Sequence, residues 1–538
     1  MEEIALPQRP CAIAWGCHQK DNLTAMNANP AKTNLMDQIS RRGVLAGLMG
    51  SMAVPFVGNP ALAEAPTSSP RPARRPTKKL PPAEADLINA AKLGGVTGFA
   101  VADLATGRVL ASGDDAAALP PASVCKAVTA LYALEKLGVS HRFTTKVMRR
   151  GVLVGDRLDG DLILVGGGDP TLDTDVMGDL VASLAQSGLR MVTGRFLVYA
   201  GDIPQRDRIA ADQPDYVGYN PAVSGLMLNY NRVYFEWRRA NGGWSLTTDA
   251  RGQRFVPKVA MVQVGLSSRT LPIFAYTAGS DQTDQWTVAE SALGKEGSRW
   301  LPVRHPAAYA AEVFQTLCAA QGLKLPAAQM IPALPADAQT MVQHQSAALP
   351  DVLRDMLKFS TNLTAEAVGL AASGAISQDA SASAMTLWAQ NTFGIAGVFG
   401  DHSGLGPVSR IPAGDMMSVM IGARATVSGR QLLALMREMG MQGPDGKELK
   451  GSAVRVHAKS GTLNFVSCLA GYIAAPTQNG AHKGGTLAFA IFCADVPRRD
   501  ALEMQDREDP AGGAAWTRRA RKLQGQMIAG WSKTHLLS

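Results

Sequence analysis

Residues 96–113, "VTGFAVADLATGRVLASG", alternate apolar and polar positions on either side of a short segment at 105–107. Alternation with a period of two is typical of a strand with one buried face, because successive side chains point to opposite sides of a sheet. A glycine in the segment between two such runs indicates a tight turn. The pattern predicts an antiparallel hairpin.

The next stretch, residues 121–138, "PASVCKAVTALYALEKLG", is apolar on nearly every side and predicts a buried central helix. Pro120 and Pro121 favour an extended approach to it, since a residue before proline avoids the helical region. Ser123 is therefore expected at or near the helix N-terminus, with Lys126 on the same face.

Two further helices are predicted at 348–359 and 363–373, on either side of Ser360-Thr361-Asn362. Two β-like runs follow, at 463–475 and 485–496, and Lys459-Ser460-Gly461-Thr462 is expected to open the first of them. The polar, glycine-rich segment between the runs predicts an antiparallel hairpin.

That hairpin would bring Cys468 and Cys493 close together. A disulfide and two buried thiols are both compatible with this proximity. We favour the thiols, because a disulfide between strands demands a specific geometry. Cys125 and Cys318 are read as small buried hydrophobic residues, because the wide spacing of the cysteines matches neither a metal site nor a disulfide framework.

Residues 1–63 are interpreted as an export signal together with an extension upstream of it, residues 1–35. Ser40-Arg41-Arg42 precedes a short apolar run at 43–58, and Ala61-Leu62-Ala63 supplies a small-x-small cleavage pattern. The paired arginines resemble a twin-arginine signal. We predict cleavage after Ala63 and a periplasmic protein, with residues 64–82 forming a linker rich in proline and arginine.

Composition narrows the class of protein. The chain has 538 residues, 46% of them hydrophobic and 18% charged, which indicates a globular protein of several domains. Its formal charge is +8, but much of the visible basic clustering lies in the linker, so nucleic acid is not expected as a partner. Weak association of that linker with the wall or a membrane surface remains open. The eight histidines show no metal-binding spacing, and no cofactor is expected.

Ser123 and Lys126 suggest nucleophilic catalysis. A lysine that is partly removed from water has a lowered pKa and can accept the proton of a neighbouring serine hydroxyl. The Ser-x-x-Lys pattern alone is weak, because an N-cap serine followed by a lysine that reaches toward solvent is the commoner explanation of it. The pattern becomes a stronger indication of catalysis because Ser360-x-Asn362 and Lys459-Ser460-Gly461 follow it along the chain.

These three motifs, in this order, resemble those of penicillin-binding proteins and serine β-lactamases. Three longer segments, at 160–172, 219–233 and 401–411, are similar to the D-alanyl-D-alanine carboxypeptidase/endopeptidase family of penicillin-binding proteins, the penicillin-binding protein 4 type. Thr361, Ser460 and His402 depart from the commoner family residues. The likeness covers nearly all of residues 85–535.

The resemblance implies an α/β (α+β) fold: a β-lactamase/transpeptidase-like domain of helices and an antiparallel sheet. Ser123 and Ser360 are 237 positions apart, more than a compact domain of this type needs between its first two motifs. In the family, the additional residues between the first two motifs form two smaller, mostly β domains. We place this insertion at 146–345, within a catalytic domain formed by 83–145 and 346–538.

The resemblance also assigns roles. Ser123 is the acylated nucleophile and Lys126 the general base, while Ser360 relays a proton and Asn362 binds both Lys126 and the substrate backbone. The substrate-binding residues are expected to be Lys459, Ser460, Gly461 and Thr462, with Thr462 binding the terminal carboxylate of the substrate. Backbone N–H groups of Ser123 and Thr462 are expected to form the oxyanion hole.

The expected function is that of a periplasmic serine D-Ala-D-Ala carboxypeptidase and D,D-endopeptidase on peptidoglycan stem peptides. β-Lactam antibiotics are the expected acylating inhibitors. Two alternatives stay open: a β-lactamase or esterase on the same scaffold, and a catalytically idle wall-binding protein. Release of free D-alanine, as opposed to hydrolysed antibiotic, separates the two enzymes, and labelling by penicillin separates either from an idle protein.

Overall fold

The computed structural model describes residues 82–537, except 202, 281, 442–451, 453, 476, 479–480 and 483–484. The predicted export signal at 1–63 and nearly all of the predicted linker at 64–82 lie outside the described residues. No helix among the described residues is long and apolar enough to cross a membrane.

Eleven α-helices are formed by the described residues. Their bounds are α1 (Pro82–Ala91), α2 (Cys125–Leu137), α3 (Thr174–Gln186), α4 (Pro306–Ala320), α5 (Leu349–Phe359), α6 (Asn362–Ser373), α7 (Gln378–Phe393), α8 (Ala413–Ala423), α9 (Gly429–Leu435), α10 (Val496–Asp500) and α11 (Gly513–His535).

The same residues form twenty-two strands, several of them only two residues long. Their bounds are β1 (Val96–Asp103), β2 (Val109–Gly113), β3 (Ala118–Leu119), β4 (Thr144–Val154), β5 (Arg157–Val165), β6 (Met191–Val192), β7 (Phe196–Tyr199), β8 (Arg232–Ala240), β9 (Gly243–Asp249), β10 (Val262–Ser267), β11 (Phe274–Ala278), β12 (Asp284–Ala289), β13 (Glu296–Pro302), β14 (Ala328–Met330), β15 (Gln339–Gln345), β16 (Ile411–Pro412), β17 (Glu438–Met439), β18 (Arg455–Leu463), β19 (Val466–Ala474), β20 (Thr477–Gln478), β21 (Ala481–His482) and β22 (Thr486–Ala494).

A six-stranded antiparallel sheet, ordered β17-β18-β19-β22-β1-β2, forms the centre of the fold. One face is covered by α1 and α11, which contribute buried residues such as Trp516 and Trp531. The other face packs against α2 and a group of helices drawn from α5–α9. Helices on both faces explain why β19 and β22 are buried along nearly their whole length and show no polar alternation.

The predicted hairpin at 96–113 is confirmed, since β1 and β2 pair antiparallel around a turn in which Gly107 adopts a φ of 69°. The helix predicted at 121–138 begins as a 3₁₀ turn over Ala122–Val124 and continues as α2. The pair of helices around Ser360 is confirmed as α5 and α6.

The hairpin of β19 and β22 is also confirmed, and its register decides the cysteine question. Cys493 pairs with Ser467, and Cys468 pairs with Phe492. The two cysteines therefore point to opposite faces of the sheet, Cys468 into the core under α2 and Cys493 into the core under α11. Both are buried free thiols, so the preference for thiols is confirmed.

The placement of the Lys459 motif requires a correction. The motif was expected to stand at the start of the strand that contains Cys468. The structure instead places Lys459–Thr462 near the end of a separate strand, β18, and turns at Asn464–Phe465 into β19. Phe465 has a φ of 60°, a left-handed conformation that no hydrophobic pattern indicates.

The region between α2 and α5 carries a second core. Strands β4, β5, β7, β14 and β15, with β6 beside β5, form one sheet, and β8–β9–β13 and β10–β11–β12 form two three-stranded sheets. Their buried residues, with those of α3 and α4, make a hydrophobic cluster separate from the two clusters of the central sheet. The fold class expected from the resemblance is confirmed. The boundaries at 145/146 and 345/346 stay a prediction, with which this separate core agrees.

Candidate active site

Ser123 occupies the 3₁₀ turn that leads into α2. Its neighbour Ala122 is fully buried and has a φ of 46°, which is uncommon for a residue with a side chain. Gly404 packs against this turn so closely that a Cβ added there would stand 1.9 Å from the Ala122 carbonyl oxygen. This tight packing fixes the backbone at Ser123 and leaves its hydroxyl half-buried.

Lys126 is fully buried, one turn after Ser123. Its Nζ lies 2.9 Å from Ser123 Oγ, 2.7 Å from Asn362 Oδ1 and 2.7 Å from the carbonyl oxygen of Ser403. An unpaired buried ammonium would be costly, and these three contacts supply the partners that the side chain needs. The predicted contact between Ser123 and Lys126 is present in the structure.

The chemistry of these partners decides what Lys126 can do. Asn362 Oδ1 and the Ser403 carbonyl oxygen can only accept hydrogen bonds, so each takes one N–H of the lysine. A neutral amine has two N–H groups and one lone pair. With both N–H groups engaged, the lone pair of a neutral Lys126 faces Ser123 Oγ and can accept the hydroxyl proton.

Burial lowers the pKa of Lys126 from its usual range to about 8. Cys125, Asp401 and Glu366 oppose this lowering, because the ionised form of each would favour the ammonium form of Lys126. A pKa of about 8 leaves a useful fraction of the neutral amine near neutral pH, as a general base requires.

Ser360 and Asn362 sit at the corner between α5 and α6. Ser360 ends α5 in the left-handed conformation, with φ 59° and ψ 37°, and such strain in a residue other than glycine is concentrated at functional sites. Asn362 begins α6. Its amide joins two parts of the chain, because Oδ1 accepts from Lys126 and Nδ2 donates to the Tyr219 carbonyl oxygen at 2.9 Å.

Lys459 is the second buried amine of the site. Its Nζ lies 3.0 Å from Ser360 Oγ and 2.7 Å from the Ser460 carbonyl oxygen. Burial lowers the pKa of Lys459 well below its usual range, and the nearby charges of Lys126 and Arg437 add to the effect. The three sequence motifs thus meet through side-chain contacts.

Gly461 brings β18 against the turn that carries Ser123. A Cβ at this position would stand 2.7 Å from the Pro121 carbonyl oxygen and 2.8 Å from Ser123 N, so only glycine allows the approach. Thr462, the next residue, is half-exposed. In the described part of the chain, β17 pairs only with Val456 and His457, so no strand covers the outer edge of β18 at 459–463.

The unusual His402 is accommodated by a glycine. A Cβ on Gly369 would lie 2.1 Å from the His402 ring, so the absence of that side chain makes room for the imidazole. Its Nε2 lies 2.7 Å from Ser381 Oγ, and burial lowers the pKa of His402 to about 3. His402 is therefore a neutral packing residue.

Two contributors to the site carried no role in the sequence analysis. The first is the Ser403 carbonyl, and the second is Glu366, which binds the loop holding that carbonyl. Every residue has a backbone carbonyl group, so the identity of residue 403 in the sequence gives no sign that its carbonyl is an acceptor in the site. Glu366 does have one: a glutamate four positions after Asn362 in an apolar helix lies on the same helix face as a predicted catalytic residue.

A cleft continues from the site between Pro120 and Leu463. It carries three arginines, Arg410, Arg499 and Arg507, and two aspartates, Asp212 and Asp500. Asp212 is shared by two of these arginines, at 2.8 Å from Arg507 and 3.6 Å from Arg499. The cleft keeps an excess of positive charge.

Among the described residues, no group of three or more His, Cys, Asp or Glu side chains is arranged to hold a metal ion. The polar groups that converge on Ser123 are instead amine, amide and hydroxyl groups. This donor set suits nucleophilic attack by a hydroxyl with a lysine as base.

Comparison with known proteins identifies relatives over most of the chain. The model of the D-Ala-D-Ala carboxypeptidase 3 (S13) family matches residues 84–517. The D-alanyl-D-alanine carboxypeptidase of Actinomadura sp. (strain R39) is 28% identical over 484 residues, covering 82% of this chain and 85% of the relative. D-alanyl-D-alanine carboxypeptidase DacB of Haemophilus influenzae is 25% identical over 410 residues, covering 72% and 84%.

A solved structure agrees with the fold. Penicillin binding protein 4 (dacB) from Haemophilus influenzae superimposes with a TM-score of 0.64 at 20% identity, and the match covers 83% of this chain and 99% of that one. The same protein complexed with a β-lactam gives a TM-score of 0.62. At this identity the likeness shows the fold.

The geometry predicts that Lys126 titrates near pH 8 in the free protein. Lysine labelled with ¹³C at Cε reports ionisation by NMR, and the Lys126→Arg variant identifies the resonance that belongs to this residue. We expect that resonance to titrate far below those of the exposed lysines. A Lys126 resonance that titrates in the ordinary lysine range, near 10.5, would contradict the site described here.

Proposed function

The chain belongs to the D-Ala-D-Ala carboxypeptidase 3 (S13) family, and we propose that it is a periplasmic serine D-Ala-D-Ala carboxypeptidase and D,D-endopeptidase that acts through an acyl-enzyme on Ser123. The observation that carries this proposal is the contact of 2.9 Å between Ser123 Oγ and the buried Lys126 Nζ, whose N–H groups are both engaged elsewhere.

In acylation, Ser123 Oγ attacks the carbonyl carbon of the penultimate D-alanine while its proton passes to neutral Lys126. The negative charge that develops on the carbonyl oxygen faces the backbone N–H groups of Ser123 and Thr462, which the approach of Gly461 brings together. Collapse of this intermediate breaks the C–N bond of the peptide. The acyl group stays on Ser123 as an ester.

The leaving amine needs a proton. Ser360 can relay the proton from Lys126, because its hydroxyl is held by Lys459 on the same side of the cleft. Free D-alanine then departs in the carboxypeptidase reaction, or the other peptide strand departs when a cross-link is cut. Water, with Lys126 again as base, hydrolyses the ester and restores the Ser123 hydroxyl.

Substrate binding follows from the open edge of β18. An extended peptide can align along residues 459–463 by main-chain hydrogen bonds, as peptides commonly bind to sheet edges. Ser460, Gly461 and Thr462 would contact it there, and the Thr462 hydroxyl with the positive charge of Lys459 would bind the terminal carboxylate. The arginines of the adjoining cleft favour a peptide that carries further carboxylates, as a stem peptide does.

The same site would react with β-lactams, because their strained amide presents a carbonyl carbon to Ser123. Haemophilus influenzae penicillin binding protein 4 has been solved with a β-lactam bound. The family match and the large insertion between the first two motifs favour a peptidase over a β-lactamase. The complete set of polar contacts at Ser123 disfavours an idle wall-binding protein.

Digestion of purified cross-linked muropeptides tests the proposed reaction. Identification of the products by mass spectrometry should show loss of terminal D-alanine and cleavage of D,D cross-links. The Ser123→Ala variant should produce neither change, while a Ser418→Ala variant, which removes a hydroxyl bonded within α8, should retain both. Hydrolysis of antibiotic without attack on muropeptides would contradict the peptidase assignment and support the alternative.

The role of Lys126 predicts the behaviour of a second variant. Lys126→Ala should keep its fold, because a short side chain replaces a buried amine, but it should lose acylation by about 10²–10⁴-fold, as general-base removal commonly does. The rate of labelling by a fluorescent penicillin measures the loss. Labelling at the wild-type rate would refute the role.

Export underlies the proposed periplasmic location. The paired arginines and the cleavage pattern at Ala61-Leu62-Ala63 place the expected mature N-terminus at Glu64. Mass spectrometry of the protein recovered from the periplasmic fraction should find this N-terminus. An active protein that retains residues 1–60 would contradict the prediction.

A further inference from the structure

A short loop at 401–403 is held between two helices of the active-site region. Its three successive carbonyl groups all accept from side chains of α2: Asp401 from Cys125 Sγ at 3.5 Å, His402 from Thr129 Oγ1 at 2.6 Å, and Ser403 from Lys126 Nζ at 2.7 Å. The loop thus presents its carbonyl side to the helix that carries the catalytic pair.

The N–H groups of the first two of these peptides are held by Glu366 of α6. Its Oε1 accepts from Ser403 N at 2.9 Å, and its Oε2 accepts from His402 N at 3.3 Å and from Gln378 Nε2 at 2.9 Å. Glu366 is fully buried. A buried carboxylate with three donors is costly to place without a function that needs it, since burial alone disfavours the charge.

We propose that Glu366 is a positioning residue for Lys126, acting through the backbone of Ser403. By binding the N–H groups of His402 and Ser403, the carboxylate fixes the backbone that leads into the Ser403 carbonyl, and this carbonyl takes one N–H of the lysine. With that N–H engaged, the lone pair of the neutral amine is left for Ser123. The inference rests on the proposed role of Lys126 as base, and it adds a residue that does not touch the substrate.

Asn362 and Glu366 are four positions apart on α6, so a single helix controls both acceptors of Lys126. Asn362 does so directly, and Glu366 does so through the loop. The peptide that contains the Ser403 carbonyl is held at its N–H, Gly404 N, by Asp401, which also accepts from Gly406 N. Displacement of Glu366 would release Ser403 N and so disturb the backbone that leads into the Ser403 carbonyl, while Asn362 stayed in place.

The charged and titratable groups that face Lys126 come from four elements. They are Cys125 on α2, Glu366 on α6, Asp401 in the loop and Lys459 on β18. The negative charge of Glu366 raises the pKa of Lys126, against the larger lowering by burial. Burial and Asp401 raise the pKa of Glu366 itself to about 8, while its hydrogen bonds to the loop and the charge of Lys126 oppose this rise.

Two substitutions separate placement from charge. Glu366→Gln removes the charge and replaces one of the two acceptor oxygens by an NH₂ group, which can only donate, so the N–H donor facing that group loses its partner and the loop must shift. Glu366→Asp keeps the charge but withdraws it by one methylene. Glu312→Gln is the matched control, because Glu312 also accepts from two consecutive backbone N–H groups, Ala260 at 2.6 Å and Met261 at 3.1 Å, in the region between α2 and α5.

The measurement is the rate of acylation by a fluorescent penicillin as a function of pH, per folded protein. The rate in the wild type should rise with pH as Lys126 loses its proton. In Glu366→Gln we expect a maximum reduced by roughly ten- to a hundredfold, as small misplacements at active sites produce, and a rise shifted to lower pH because a negative charge near Lys126 is gone. Glu366→Asp should lower the maximum acylation rate with little shift in the pH of the rise. Glu312→Gln should change neither the maximum rate nor the pH of the rise.

A shift of the rise in Glu366→Gln reports the loss of the charge, whereas Glu366→Asp keeps the charge and reports placement. A maximum rate per folded protein in Glu366→Asp equal to that of the wild type would therefore overturn the proposal.

The ¹³C titration of Lys126 needs no substrate and keeps the test independent of the proposed reaction. A Lys126 pKa that falls in Glu366→Gln but not in Glu312→Gln supports the proposal even if the wild type fails to label, a result that would overturn only the proposed function. An unchanged Lys126 pKa would overturn the inference while leaving the proposed function intact.

Discussion

The burial of one amine is the constraint on which the site depends. Lys126 can be neutral and still fully hydrogen-bonded only because two carbonyl oxygens take its N–H groups and a hydroxyl faces the remaining position. If either acceptor moved away, an N–H group would be left unpaired in a dry environment or would turn toward Ser123, and the lone pair would no longer face the hydroxyl. The surrounding architecture therefore has to fix two acceptors and one nucleophile with respect to a single nitrogen.

Each of these groups is held by a different part of the chain. The nucleophile is fixed by a tight turn against Gly404 and Gly461, and the amide acceptor is fixed by the Tyr219 carbonyl. Tyr219 lies in the region between α2 and α5, so this region contributes to the geometry of the site. The central sheet supplies Lys459 at the end of β18, and the open strand edge beside it is where a peptide can lie next to Ser123.

The sequence predicted the parts of the molecule that depend on residue type. Alternation gave the β1–β2 hairpin, continuous apolar runs gave α2 and the β19–β22 pair, and the order of three polar motifs gave the site. It misplaced the Lys459 motif, because a strand end and a strand start share the same composition and the turn at Phe465 depends on a left-handed backbone. It gave no role to the Ser403 carbonyl, since a backbone acceptor is set by tertiary packing. Glu366 had a signal in its position on the helix face of Asn362, but the loop that it binds could be located only in the structure.

Neutron diffraction from crystals at a pD of about 9, above the pKa of about 8, would test the central claim most directly. The account predicts two deuterons on Lys126 Nζ, directed at Asn362 Oδ1 and the Ser403 carbonyl oxygen, with the Ser123 hydroxyl deuteron pointing at the nitrogen. Three deuterons on Nζ under these conditions, with one donated to Ser123 Oγ, would contradict the assignment of Lys126 as the base.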